Sequence, residues 1–221
     1  MTQINKQTYA VFGLGRFGFT LAYELSQMGQ DVIAVDKDMN LVEAADEFCT
    51  ALSFDMTDID AMKSAGIKDA DVAIIATGSS LEDSILCTLN LKELGVPKVI
   101  VKARNGKHAL ALNKIGADRV VMPEMEMAKR LAIKQVMGDD LIEMFDLGDN
   151  NLVFEIVVKE SWIHKSLNQI NPRSNYNINV IALKRDNEFI IKIDPFEPFK
   201  KGDVIVAIAS DTDFKKFQSV K

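Results

Sequence analysis

Residues Tyr9–Leu25 read YAVFGLGRFGFTLAYEL. An apolar run enters Gly13-x-Gly15-x-x-Gly18 and leaves as an amphipathic helix, Gly18 to Met28, with Leu21, Ala22, Leu25 and Met28 on one stripe. Strand, glycine turn and helix in this order outline a dinucleotide-binding loop. Gly13 makes the tight turn, Gly15 lets the backbone approach phosphate, and Gly18 lets helix and strand pack closely. The free N–H groups that open the helix then face the phosphates. A second strand, DVIAVD, ends in Asp36, where an acid accepts both ribose hydroxyls and repels a 2′-phosphate. A third ends at Phe54-Asp55, where a polar group reaches an adenine edge.

Arg16 breaks the pattern. A cation in the first helical turn opposes the helix dipole, at a cost of about 0.3–1 kcal/mol where it is exposed. It makes sense where an anion with more charge than a pyrophosphate sits, because guanidinium matches phosphate oxygens in pairs. Otherwise it is a solvated surface arginine.

Outward from this loop, strand and helix alternate. Strand candidates are TYAVFGL, DVIAVD, TALSF, DVAIIAT, KVIVKA and RVVM, short and nearly continuous in apolar character, as strands buried on both faces are. Helical stretches run 41–48, 59–65, 81–94 and 109–115, and helices end at Gly29, Gly66, Gly95 and Gly116. The fold class is α/β: a Rossmann-type doubly wound parallel sheet with right-handed crossovers, followed by a small α+β domain. A helix opens at Pro123 and ends at Gly138. Beyond it come strands and the hairpin turn RDNE, then a short helix near Asp211. The boundary reads 1–138 for the nucleotide-binding domain and 139–221 for the C-terminal one.

The 221 residues suffice for a core without disulfides or metal, and Cys49 and Cys87 read as buried thiols. No apolar run has transmembrane length, and MTQINKQT has no signal-peptide core, so a cytoplasmic protein is expected. The net charge of −6, from 26 Lys+Arg and 32 Asp+Glu, argues against nucleic acid. No catalytic set is visible. His108 and His164 stand apart, no Cys/His/acid group has metal-ligand spacing, and no nucleophile elbow is present. At the carboxyl edge of the sheet, Thr77, Gly78 and Ser79 line the ribose side, and Ser80 caps the next helix with Asp83 three residues on. Lys102, Arg104 and Asn105 end the fifth strand at the same edge. Glu124 and Glu126 are either oxygen donors for a hard cation or solvated first-turn acids.

The stretches 9–36, 76–105 (ATGSSLEDSILCTLNLKELGVPKVIVKARN) and 112–132 (LNKIGADRVVMPEMEMAKRLA) together resemble the RCK (KTN) family, the regulatory subunits of bacterial Ktr and Trk potassium uptake systems. The likeness covers essentially the whole chain and is closest to the KtrA-like members. It implies an ATP/ADP-responsive gating ring, usually an octamer of dimers, docked on a membrane potassium-translocating subunit of KtrB/TrkH type, and no enzyme activity. Carried over by position, the nucleotide set is Gly13, Leu14, Gly15, Arg16, Phe17, Gly18, Asp36, Lys37, Asp55, Met56, Thr77, Gly78, Ser79, Lys102 and Arg104. Asp55 and Met56 lie at the adenine, and Arg16 reaches the terminal phosphate of ATP, in its own or the neighbouring subunit's site. Glu124 matches a glutamate that helps bind a cation (Mg, Ca or Na) at the dimer interface. In the second domain the resemblance implies cyclic di-AMP as an inhibitor, held between two subunits by Leu167, Arg173, Ile178, Asn179 and Pro195. Asn171 stands where the pattern often has an acid. Two alternatives remain on the residues alone: an NAD/NADH-dependent oxidoreductase, and a free-standing nucleotide-sensing module.

Overall fold

The computed structural model describes residues 6–77, 80–137 and 140–218. Gly78 and Ser79 of the nucleotide set, and the expected helix end at Gly138, lie outside the described residues. The chain divides into two compact units, Met1–Glu124 and Met125–Lys221.

The first unit runs β1 (Thr8–Phe12), α1 (Arg16–Gln27), β2 (Asp31–Asp36), α2 (Met39–Ala45), β3 (Thr50–Ser53), α3 (Ile59–Ser64), β4 (Val72–Ile75), α4 (Leu81–Glu93), β5 (Lys98–Lys102), α5 (Gly106–Lys114) and β6 (Arg119–Val121). All six strands anticipated from the sequence are present. They form one parallel sheet in the order β3-β2-β1-β4-β5-β6. Side chains alternate between its two faces, and both faces are covered. Ala10, Phe12, Ala73, Ile75, Val99 and Val101 pack with Met62, Leu91 and Leu112 on one side. Val11, Val32 and Ala34 pack with Ala22, Val42 and Ala45 on the other. The strand order reverses between β1 and β4, and in open α/β sheets that reversal leaves a crevice at the carboxyl ends.

The second unit holds most of α6 (Pro123–Met137), then β7 (Leu141–Gly148), β8 (Asn151–Val157), α7 (Leu167–Ile170), α8 (Pro172–Tyr176), β9 (Asn179–Arg185), β10 (Glu188–Ile190), β11 (Val204–Ser210) and α9 (Asp211–Gln218). Its sheet is antiparallel, ordered β10-β9-β11-β8-β7. Phe154, Trp162, Phe199, Phe214 and Phe217 are its buried aromatic core. The RDNE turn is a two-residue hairpin, with Asp186 and Asn187 at φ 50° and 67°. The division falls after Glu124, not at 138 as the sequence suggested. The physical reason is that Ile133 of α6 packs on the second core and Lys134 donates to the Ile142 carbonyl at 3.2 Å, so α6 shares its burial with the C-terminal sheet.

Gly18 is where the first unit is most tightly fitted. A Cβ there would meet the Gly13 carbonyl oxygen at 1.8 Å and the Ala76 Cβ at 2.9 Å. Gly15 has open space around it and an ordinary extended backbone, φ −61° and ψ −179°. Gly18→Ala is therefore expected to destabilise the first unit by at least about 3 kcal/mol, whereas Gly15→Ala should change stability by less than about 0.5 kcal/mol. Equal melting temperatures for the two variants would contradict this.

Candidate functional site

The loop after β1 is held from two sides. Gly13, at φ +91°, donates its N–H to the Val35 carbonyl at 2.8 Å, and a Cβ on it would crowd Thr77 at 3.1–3.3 Å. Leu14 donates its N–H to Asp36 Oδ2 at 2.6 Å, while Asp38 N–H donates to Asp36 Oδ1 at 2.9 Å. Asp36 thus fixes the loop with one lone pair on each oxygen, and each oxygen keeps a second for a ribose hydroxyl. Gly15 stands at the N-cap of α1 with no side chain capping it and no acid in the first turn. The first N–H groups of a helix have no intrahelical partner, so α1 presents a positive end with no local anion.

A cleft runs along the strand ends from this loop. It is lined by Gly13, Asp36, Lys37, Phe54, Asp55, Met56, Thr77 and Asp83. Six residues of the expected nucleotide set meet there. Asp55 accepts from the N–H and hydroxyl of Thr57, at 2.9 and 2.7 Å, and these bonds, aided by the nearby Lys37 charge, hold its carboxyl below the usual range. Asp83 was read only as part of a helix cap. It does donate its N–H to the Ser80 hydroxyl at 3.1 Å, and its side chain also faces the cleft. Burial on one face of a helix cannot be told from a lining role by spacing alone.

Arg16 is exposed at the first residue of α1. Lys102, whose side chain is only 12% exposed, pairs with Glu124 and lies 5.5 Å over the Phe17 ring. The Lys102 ammonium, and more weakly the Arg16 charge, hold the Glu124 carboxyl below its ordinary value. Arg16, Phe17, Lys102 and Glu124 therefore share one neighbourhood at the positive end of α1. Arg104 is exposed on the loop after β5. Glu124 does not fit a metal cage by itself: its carboxylate is engaged by an ammonium, and no group of three potential ligands occurs among the described residues. The glycine loop, by contrast, fits a nucleotide, since Gly15 leaves open backbone where phosphate would approach.

The residue order, the sheet reversal and the loop geometry agree with the comparisons. The TrkA-N domain profile matches residues 9–123 and the TrkA-C domain profile matches residues 153–220. The chain belongs to the TrkA-N/TrkA-C family of RCK-type proteins. It is similar to the Ktr system potassium uptake protein C of Bacillus subtilis (strain 168), with 37% identity over 96% of each chain. It is also similar to the Ktr system potassium uptake protein A of that organism, with 32% identity over 99% of each. In fold it resembles the GsuK RCK domain, at TM-score 0.55 and 20% identity over 97% of this chain, although it spans only 46% of that one. The first unit also resembles the NAD(P)-binding domain of an exopolyphosphatase-related protein from Archaeoglobus fulgidus, at TM-score 0.52 and 28% identity over 59% of this chain and 99% of that one.

In the second unit the residues expected around cyclic di-AMP fall into two sets. Leu167 begins α7, and Asn168 N–H donates to the Pro195 carbonyl at 2.9 Å, so Leu167 and Pro195 sit on adjoining segments. Arg173 is exposed on α8 and Asn179 is exposed at the start of β9. Ile178 is fully enclosed in the core and its N–H donates to the Pro172 carbonyl at 3.3 Å, so only its carbonyl is left to face a ligand. Asn171 takes the left-handed conformation that joins α7 to α8, and its side chain caps neither helix.

Replacing Lys102 by Met should raise the Glu124 titration toward the ordinary carboxylate value, read by carboxyl NMR. The melting temperature should move little, because Glu124 is 70% exposed and solvent screens such pairs. An unchanged Glu124 titration would refute the pairing.

Proposed function

We propose that this chain is the nucleotide-sensing regulatory subunit of a potassium uptake system, working in the cytoplasm on a membrane subunit of KtrB/TrkH type. The observation that carries the nucleotide part is Arg16 at the uncapped, acid-free start of α1, beside a cleft whose carboxylate Asp36 is already anchored for a ribose. The near-full-length likeness to Ktr potassium uptake proteins supports the potassium part. In this reading adenosine lies along Gly13, Asp36, Lys37, Asp55, Met56 and Thr77. The phosphates lie over the start of α1, with Arg16, Lys102 and Arg104 as the cations nearest that edge.

ATP carries a phosphate that ADP lacks, and Arg16 is the group placed to pair with it, in its own site or in that of a neighbouring copy. A ligand shifts a conformational equilibrium only by its differential affinity for the two states. The third phosphate supplies that difference, and the ring of dimers, an octamer in this proposal, converts it into two shapes that open or close the partner's ion path. No step runs through a metal ion, because Lys102 already neutralises Glu124. No covalent chemistry is required. The oxidoreductase alternative finds little support: His108, the histidine nearest the sheet edge, is buried and hydrogen-bonded at both ring nitrogens.

Calorimetry with ATP, ADP and NADH tests the reading. Arg16→Ala should bring ATP and ADP affinities together, with loss of about tenfold for ATP and little change for ADP. A variant that separates the two as well as the parent would sink the phosphate-counting role, and tight NADH binding without an ATP effect would replace the ligand.

The second unit is proposed to bind cyclic di-AMP as an inhibitor between two copies, with Arg173 meeting phosphate and Leu167, Asn179, Pro195 and the Ile178 carbonyl around the base. Exposed Arg173, free of a capping role, supports this. Arg173→Ala should weaken binding of the dinucleotide at least about tenfold with no change in melting temperature. Parental affinity in that variant would remove Arg173 from the site.

A further inference from the structure

His108 lies in the first turn of α5 and is 1% exposed, yet every polar atom of its ring has a partner. Arg104 donates its main-chain N–H to Nδ1 at 3.3 Å. An accepting Nδ1 carries no proton, so the neutral ring keeps its proton on Nε2. Nε2 then donates to the Ser84 hydroxyl at 2.9 Å, and that hydroxyl donates to the Leu81 carbonyl at 2.8 Å. The bonds form a one-way chain from the loop after β5, through the imidazole, to the first turn of α4. Asn105 secures the ring's own backbone by accepting the His108 N–H at 2.9 Å.

Both ends of this chain lie at the carboxyl edge of the sheet. The α4 end bears Ser80, which caps the helix, and Asp83, which faces the cleft. The other end bears Arg104. We propose that His108 is a positioning residue for the nucleotide site: its neutral ring fixes the first turn of α4 against the loop after β5, and so sets the spacing of the cleft wall from the Arg104 cation. This rests on the nucleotide reading given above. A buried, fully bonded polar chain is rigid because each broken link leaves a desolvated group unpaired.

The tie is also acid-sensitive. A second proton would sit on Nδ1, facing the Arg104 N–H, and two donors cannot share a hydrogen bond. Burial, and then the Arg104 charge, hold the imidazole below its ordinary value of 6.5. The other charges on the packed elements are Glu82, Asp83, Lys92 and Glu93 on α4, Lys98 and Lys102 on β5, and Lys107 and Lys114 on α5, but Arg104 is the one that bears on the ring. Because the folded state favours the neutral form, the tie is complete above the ordinary imidazole value. It is lost as pH falls through the lowered one.

The test uses the full chain, with ATP and ADP affinities measured by calorimetry between about pH 5 and 8, alongside melting temperatures. Ser84→Ala removes the far anchor without touching the ring and should weaken nucleotide binding about tenfold at the upper pH while the chain stays folded. His108→Asn keeps an acceptor within the ring's near side but cannot titrate, so its affinity should be weak and flat where the parent's falls on acidification. A histidine that merely fills the core would lower the melting temperature and leave affinity and its pH profile parental, and that result overturns the proposal. A parent chain that binds neither nucleotide at any pH overturns the nucleotide reading itself, and the positioning role falls with it.

Discussion

Helix α1 can lie against β1 only because residue 18 has no side chain. The Gly13 carbonyl occupies the space a Cβ would need, at 1.8 Å. This approach brings the N-terminus of α1 over the end of β1, at the place where the sheet reverses its order. From that single constraint follow the loop's tight turn at Gly13, the grip of Asp36 on the Leu14 amide, and a helix end whose free N–H groups point into a crevice. The rest of the first unit is an ordinary two-layer covering of a parallel sheet.

Much of this was legible in the residues. Continuous apolar strands between amphipathic helices leave few arrangements other than a doubly wound sheet. The glycine spacing and Asp36 placed the cleft, and the six expected residues that line it are local to strand ends. What could not be read were ties between distant stretches. Lys102 and Glu124 lie on separate elements, and nothing in the spacing says that an ammonium and a carboxylate will meet over the Phe17 ring. The imidazole of His108 looked like a stray helix-start residue because its partners come from two different segments, Ser84 from helix α4 and Arg104 from the loop after β5. The two short helices α7 and α8 were missed because four or five residues do not complete the periodicity that marks a helix. The domain boundary moved for a related reason. A helix with mixed faces does not announce which core it joins, and Ile133 decides it by packing.

The carboxylate at Glu124 shows how a neighbour changes chemistry. As a bare acid in a first helical turn, it would be a natural ligand for a hard cation. Beside Lys102 it is already neutralised, and the dominant reason its proton affinity falls is that hydrogen bond. The positive end of α1 therefore faces a balanced pair rather than a free anion, as the proposed phosphate contact at Arg16 requires.

Two polar ties thus frame the crevice, and they differ in kind. Lys102–Glu124 has one partner in solvent, where Coulomb attraction is screened, so Glu124 can exchange the ammonium for water while Lys102 exchanges the carboxylate for another anion. His108–Ser84 is sealed from water at both ends, so breaking it strands groups that have nowhere else to bond. If the chain senses nucleotide as proposed, the exposed pair suits a contact that changes when the ligand arrives. The buried chain suits the frame against which that change is made, because a switch whose walls yield as readily as its contacts would transmit no difference between ligands.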